Sequence, residues 1–321
     1  MSSSSGEPRF LVVDLGGTQV RVGVANEDRV LNRLEDRTNL ADGPQGTERQ
    51  IDTMARQVVR EAGVSLESME RLVIGTPGPL DPATGIVYDA PNMHGWHKVH
   101  IADDLASLLG VPVRAVNDAN AAALGEFTFG AGRGLRHMIY LTISTGIGGG
   151  VVIDGKLFEG ASGTGGEIGH MTIDRHGPRC KCGNIGCLEI LASGTSIARR
   201  FRELVDGGQE SSLAGKGDAV TAVDISRAAG EGDRLAAAVF RDAAEAVGTG
   251  VVNCVHVFNP ELVVLGGGVV HAGDLLFGPV NEMLDRYAMD LPRRVVRVVP
   301  AQLGDDAGLY GALALARGEP D

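Results

Sequence analysis

Two stretches of this chain repeat one pattern: a short apolar run, a glycine-rich turn, and a second apolar run. The first is Phe10-Leu11-Val12-Val13-Asp14, then Gly16-Gly17-Thr18, then Val20, Val22 and Val24 in alternation. The second is Ile139-Tyr140-Leu141-Thr142-Ile143, then Ser144-Thr145-Gly146-Ile147-Gly148-Gly149-Gly150, then Val151-Val152-Ile153. Each reads as strand, glycine turn, strand. Its recurrence points to an internal duplication, and two related halves facing each other would bring both glycine turns to one cleft. A third apolar run, Leu262-Val263-Val264-Leu265, also ends in glycines, Gly266-Gly267-Gly268.

Between these units the period changes from strand to helix. Ile51, Met54, Ala55, Val58, Val59 and Ala62 share one helical face, and Gly63 follows as a stop. Leu72-Val73-Ile74 is a buried-type strand running into the rigid turn Gly75-Thr76-Pro77-Gly78-Pro79. The spacing predicts a helix over Ile101 to Leu109, stopped by Gly110, and a strand over Val111 to Val116. An Ala-rich helix opens at Asn117-Asp118, and Asp154-Gly155 is a hairpin signal. A long helix near 233–257, a strand near 295–300 and a closing helix near 305–317 complete the pattern, with Asp206 to Gly217 a polar surface loop. Strands alternating with helices make this an α/β chain. Its 321 residues suggest about two domains, with a boundary near Asp118.

Several function classes are disfavoured. A net charge of −12 argues against nucleic acid as the main partner. No apolar run is long enough to span a membrane. The opening Met1 to Pro8 is polar and lacks the regions of a signal peptide. A cytoplasmic location follows as the expectation, and there clustered cysteines favour metal or redox roles. Cys254 stands alone in an apolar stretch and reads as a small buried hydrophobe.

The strongest chemical signal is His170, Cys180, Cys182 and Cys187, with Glu167 and Glu189 on either side. Three thiolates and an imidazole are the donor set of a closed, four-coordinate structural zinc. A redox pair or unliganded cysteines are the alternatives. A metal-held histidine can offer its second ring nitrogen to a ligand hydroxyl. The glycine turns offer bare N–H groups to phosphate oxygens, and Asp14 could position a hydrated Mg²⁺; the plain alternative is an ordinary hairpin with a capping Asp. Gly150 to Lys156 fits the first seven positions of a P-loop, but Leu157 stands where Ser or Thr is required, so that reading is rejected. No G-x-G-x-x-G occurs. Asp118 reads either as a helix N-cap or as a general base beside the cleft, and spacing favours the cap; Asn117 has the same two readings.

Taken together, these motifs resemble the ROK family (repressor, open reading frame, kinase) of the actin-like sugar-kinase superfamily. They are Leu15-Gly16-Gly17-Thr18, Gly75 to Asp81, Asn117-Asp118-Ala119-Asn120-Ala121-Ala122, Thr145 to Gly150, and Glu167 to Glu189 with its Gly183-Asn184-Ile185-Gly186-Cys187-Leu188-Glu189 end. The resemblance runs from Arg9 to Arg317. It implies a duplicated, RNase H-like fold of two domains around a cleft. A small domain would comprise residues 1–117 completed by the closing helix, 305–321, and a large domain residues 118–304 with the zinc loop. It further implies ATP-dependent phosphorylation of a glucose 6-hydroxyl. Asp118 would be the base, and Asn117, Glu167, His170 and Glu189 would bind the other sugar hydroxyls. Asp14, Gly16, Gly17 and Thr18 would handle phosphate and Mg²⁺, Thr145 and Gly146 would form a second phosphate loop, and Gly267 and Gly268 would lie near adenosine. His170 would bind both zinc and sugar.

The residues named leave other sugars open: mannose, fructose, N-acetylglucosamine, N-acetylmannosamine or allose. Polyphosphate could replace ATP as donor. A sugar-sensing repressor is the rival from a different class; such relatives carry an added N-terminal helix-turn-helix, for which the segment before Asp14 leaves no room. Similar proteins are commonly homodimers, and the resemblance implies a homodimer here, with further pairing into a tetramer left open.

Overall fold

A computed structural model describes residues 8–90 and 93–318. Residues 1–7 of the polar start and 319–321 of the expected closing segment lie outside the described residues. The first half comprises β1 (Phe10–Leu15), β2 (Gln19–Ala25), β3 (Val30–Arg37), α1 (Gly43–Glu61), β4 (Arg71–Thr76), β5 (Leu80–Asp81), β6 (Ile86–Asp89), β7 (His97–Val99), α2 (Ile101–Leu109), β8 (Val113–Asn117) and α3 (Asp118–Thr128). The second comprises β9 (Met138–Ile143), β10 (Ile147–Ile153), β11 (Lys156–Leu157), α4 (Leu188–Ala192), α5 (Gly194–Asp206), α6 (Ala222–Gly230), α7 (Arg234–Phe258), β12 (Leu262–Gly266), α8 (Asp274–Tyr287), α9 (Asp290–Val295), β13 (Arg297–Pro300) and α10 (Ala307–Ala316).

The duplication is visible in the strand order. One sheet runs β3-β2-β1-β4-β8 and the other β11-β10-β9-β12-β13. In each, an antiparallel meander adds two parallel strands beside its first member. The meanders turn at the glycine motifs, and Asp154 and Gly155 make the β10–β11 turn with φ of 52° and 80°, the positive pair a type I′ turn needs. A small third sheet, β5-β6-β7, sits beside the first.

Because the parallel strands are covered on both faces, they read as unbroken apolar runs. Leu11, Val13 and Leu15 pack against α1 and α2 through Ile51, Val58, Ile101 and Leu105. Phe10 and Val12 face the other way, onto Ala121 and Leu124 of α3 and Leu309 and Leu313 of α10. The second sheet puts Ile139, Leu141, Val263 and Leu265 under the helices from α4 to α8. Its opposite face, Met138, Tyr140 and Val264, meets Ala122, Ala123 and Ala307. Helices α3 and α10 therefore lie between the two sheets and pack on both.

That double packing needs a close crossing. A Cβ on Gly125 would strike the Ala307 carbonyl, and one on Gly311 the Ala121 carbonyl. Backbone cannot yield as a flexible side chain can. Gly311→Ala gains about 1 kcal/mol of helix propensity but overpacks the crossing at a cost of about 1–3 kcal/mol. A lowered denaturant midpoint at unchanged slope is the expected net result; an unchanged midpoint would mean the helices separate without cost.

Helix α1 begins at Gly43, well before the Ile51 start expected from periodicity. Its first turns bury the polar Thr47 and Glu48, which hides them from an apolar pattern. The expected strand Val111 to Val116 is shifted to Val113–Asn117, so Asn117 belongs to the strand end.

Candidate active site

The cleft is built around the β8–α3 junction. Asn117 is extended, with φ −63° and ψ 140°, and its Oδ1 accepts the N–H groups of Ala119 at 3.0 Å and Asn120 at 3.1 Å. Asn117 is thus the N-cap. The cap reading of Asp118 is corrected: Asp118 is the first helical residue, because its neighbour already satisfies the free amides. Its Oδ1 takes one N–H, that of Ala119 at 2.8 Å, and the rest of the carboxylate faces the cleft. Gly78, Pro79 and Leu80 line one wall, Asn117 to Asn120 the floor, and Gly148, Gly149 and Gly163 to Glu167 the other wall.

Asp118 retains some exposure, but dense protein surrounds it and displaces most water. Burial pushes its pKa up to about 6; the nearby Asp14 and Glu167 carboxylates add to this, and the Ala119 bond opposes it. Asp14, at the end of β1, is also raised by burial, against the pull of Arg21 at 3.2 Å. Arg21 in turn holds Glu35 at 2.9 Å. Gly308 of α10 sits against the Asp14 carboxylate, where a Cβ would come within 2.5 Å.

The two glycine turns are locally pinned. Gly16 donates to Gln19 O at 2.8 Å, and its carbonyl accepts the Thr38 hydroxyl at 2.7 Å. Gly17 is half-buried and Thr18 exposed. In the second turn the Thr145 carbonyl accepts the Thr195 hydroxyl at 2.7 Å, and the Thr145 side chain is exposed. Glu189 reaches this turn: its Oε2 accepts the Ile147 N–H at 2.9 Å, and a Cβ on Gly146 would meet the same oxygen at 2.5 Å. Sequence spacing gave no hint of that bond.

His170, Cys180, Cys182 and Cys187 place their donor atoms within 4.8 Å of one another. The Cys182 and Cys187 sulfurs are 3.7 Å apart, and the Cys180 sulfur is 3.8 Å from His170 Nδ1. A tetrahedral ion with sulfur at about 2.3 Å has edges of about 3.8 Å, so the donor set and its spacing both fit zinc. The other ring nitrogen, His170 Nε2, points to Glu167 at 3.9 Å. Glu167 is raised by burial and by Glu189, with His170 opposing.

Asn120 has no assigned role in the motif Asn117 to Ala122, where it stands within an Ala-rich helix. It is buried, lines the cleft, and its Oδ1 finds no hydrogen-bond partner among the described residues; the signal was a lone amide among alanines. Apart from the cleft, a cavity of about 280 Å³ opens between α6, α7 and the segment after β12, lined by Val223, Phe240, Gly268, Val269, His271 and Leu275. Gly268 belongs to it. Gly267, with φ 84°, is instead pressed on the Ile143 backbone, where a Cβ would come within 2.5 Å.

The chain belongs to the ROK family, which it matches over residues 10–319. A glucokinase of Thermotoga maritima is 39% identical over 313 residues, which is 96% of this chain and 97% of that protein. The structure of a ROK family glucokinase from Streptomyces griseus in complex with glucose and AMPPNP superposes with a TM-score of 0.80 at 33% identity, covering 96% of this chain and 99% of that one. A xylose repressor of Caldicellulosiruptor bescii is 34% identical over 259 residues, covering 80% of this chain and 65% of the repressor. The two-domain sugar-kinase fold expected from the motifs is therefore the fold of this chain. Among the described residues, no helix is long and apolar enough to cross a membrane.

Proposed function

We propose that this protein transfers the γ-phosphoryl group of ATP to the 6-hydroxyl of glucose. The observation that carries the reading is Asp118, a carboxylate on the cleft floor, released from capping by Asn117 and pushed up to about 6. The glucokinase relatives support the choice of sugar and donor. Asp118 takes the proton of the 6-hydroxyl as that oxygen bonds to phosphorus; the bond from phosphorus to the bridging oxygen breaks, and ADP leaves. Asn117, Glu167, His170 Nε2 and the free oxygen of Glu189 bond the remaining hydroxyls. Gly17, Thr18, Thr145 and Gly146 offer N–H and hydroxyl donors to phosphate oxygens, which is most of what this chemistry asks of a protein, while Gly16, whose N–H is held by Gln19, shapes the first turn around them. The apolar cavity beside Gly268 suits the adenine, and Gly267 shapes its edge. Mg²⁺, when bound, would neutralise charge on the β- and γ-phosphates, and Asp14 is the carboxylate that would hold it. His170 Nδ1 and the Cys180, Cys182 and Cys187 thiolates would hold zinc, which would fix the imidazole so that its Nε2 faces the sugar.

The domain division at Asp118, with the closing helix returned to the small domain, goes with this reading, as does a cytoplasmic location, where thiols stay reduced. For the homodimer, the exposed apolar side chains of Val257, Tyr287, Met289, Leu291 and Val295 lie on α7, α8, α9 and the link between the last two, and the Met289 N–H donating to His256 at 3.1 Å joins that link to the end of α7.

The test is ATP-dependent ADP release over glucose, mannose, fructose, N-acetylglucosamine, N-acetylmannosamine and allose. Glucose is expected to lead in kcat/KM by about tenfold or more, the discrimination expected when a mismatched hydroxyl leaves a buried polar group unpaired. Another sugar in first place would change the substrate and keep the mechanism. Sugar binding without turnover, with ATP or polyphosphate, would move the weight to a sensor like the repressor relatives.

A further inference from the structure

The chain passes between its two sheets twice. Outbound, α3 and residues 129–137 lead from β8 to β9; on the return, residues 301–306 lead from β13 to α10. Any change in the angle between the sheets turns about these two crossovers. Between them, near the C-terminal end of α3, lies Glu126, with 0% of its surface exposed. Oε2 accepts the N–H of Ala131 at 3.0 Å, and Oε1 accepts the N–H of Leu303 at 2.7 Å. Ala131 is in the outbound crossover and Leu303 in the return one. The Glu126 carbonyl adds the N–H groups of Gly130 at 3.1 Å and Gly132 at 2.9 Å.

A buried carboxylate is costly unless its oxygens are bonded. The two bonds therefore stand together: releasing either crossover leaves a bare oxygen in the core. The same helix carries Asp118 at its other end, about 12 Å away at 1.5 Å per residue. We infer that Glu126 is a hinge clamp: on the large-domain side of the division, one carboxylate ties the segment by which the chain enters that domain to the segment by which it leaves, fixes the base from which α3 and α10 run to the small domain, and so positions Asp118 as the domains close over the sugar. Its bearing on sugar binding rests on the kinase reading; the clamp itself does not.

The first test uses the unaltered protein. In hydrogen exchange without sugar, the Ala131 and Leu303 amides should open as one unit with a shared protection factor, and glucose should raise both. The second uses Glu126→Gln, which keeps the size but turns one acceptor into a donor facing an N–H. Protection at both amides should fall by about tenfold. The glucose Kd should weaken by about tenfold as the open state gains population, with kcat at saturating glucose changed less than kcat/KM, and zinc content and circular dichroism unchanged. Independent exchange of the two amides would overturn the clamp. So would a variant in which both amides loosen while glucose Kd and the glucose-induced compaction seen by small-angle scattering stay as in the parent, because that describes a structural staple. If the variant fails to fold, co-exchange in the parent protein decides. If the parent binds no sugar, the kinase reading falls and co-exchange still tests the clamp.

Discussion

Replacing Asp118 with asparagine is expected to lower kcat by roughly 10²–10⁴-fold, the usual worth of a positioned general base. The substitution keeps shape and one oxygen, so the bond from the Ala119 N–H survives, as does the Asn117 cap. What is lost is the ability to take a proton. Glucose affinity measured by calorimetry should therefore change by no more than about tenfold, the scale of one hydrogen bond. Turnover within about tenfold of the parent would remove Asp118 from the role of base.

The same residue sets the pH dependence. Only the deprotonated carboxylate accepts the hydroxyl proton, so kcat/KM should rise with pH through about 6 and level off above it. The upward shift helps: a carboxylate at the ordinary value would be a weaker base, while one near 6 is still mostly ionised at neutral pH. In Asp118→Asn the limb near 6 should vanish from the residual rate. A limb that stays in the variant would assign that titration to another group, with Glu167 first in line because it shares the cleft.

The parts legible in the sequence are those where one physical demand dominates. Strands β1, β4, β9 and β12 read as apolar runs because both their faces are covered. The donor cluster of His170, Cys180, Cys182 and Cys187 is recognisable by residue type alone. The turn at Asp154-Gly155 announces itself because few residues adopt two successive positive φ values. The illegible parts depend on neighbours remote in sequence. Asn117 and Asp118 are both acceptable caps, and only the turn of the chain out of β8 decides which is left free. The bond from Ile147 to Glu189 joins segments that no local pattern connects. The β5-β6-β7 sheet has strands too short to show a period. Glu126 follows Gly125 in a helix where no local pattern marks a buried acid, yet it is buried because two distant crossovers converge on it.

Removing the metal should be the second large effect. Cys182→Ser is the informative variant, because Cys182 is exposed while Cys180 and Cys187 are buried, so the exchange opens no cavity. Bound zinc should fall from about one equivalent to a trace, since a closed structural site draws its folding free energy from all four ligands. Without the ion, residues 171–187 keep the Thr172–Cys187 and Arg179–Ile185 bridges and the Asn184 side-chain bonds to His170 O and Thr172, but none of these fixes the His170 ring. Two groups would then lose their placement. His170 is freed at Nδ1, and its Nε2 no longer faces Glu167 in one orientation. Glu189, two residues beyond Cys187, carries the bond to Ile147 and so supports the second glycine turn. Loss of the metal thus acts on the sugar and on the phosphates together, and kcat/KM for glucose should drop by at least about 10–100-fold, the range seen when the support of a metal site is removed. Chelated parent protein should regain activity with added zinc, and Cys182→Ser should not. Metal-free protein with unchanged kcat/KM would break the link between this loop and the cleft, and would leave the cysteines as a fastening for the fold alone.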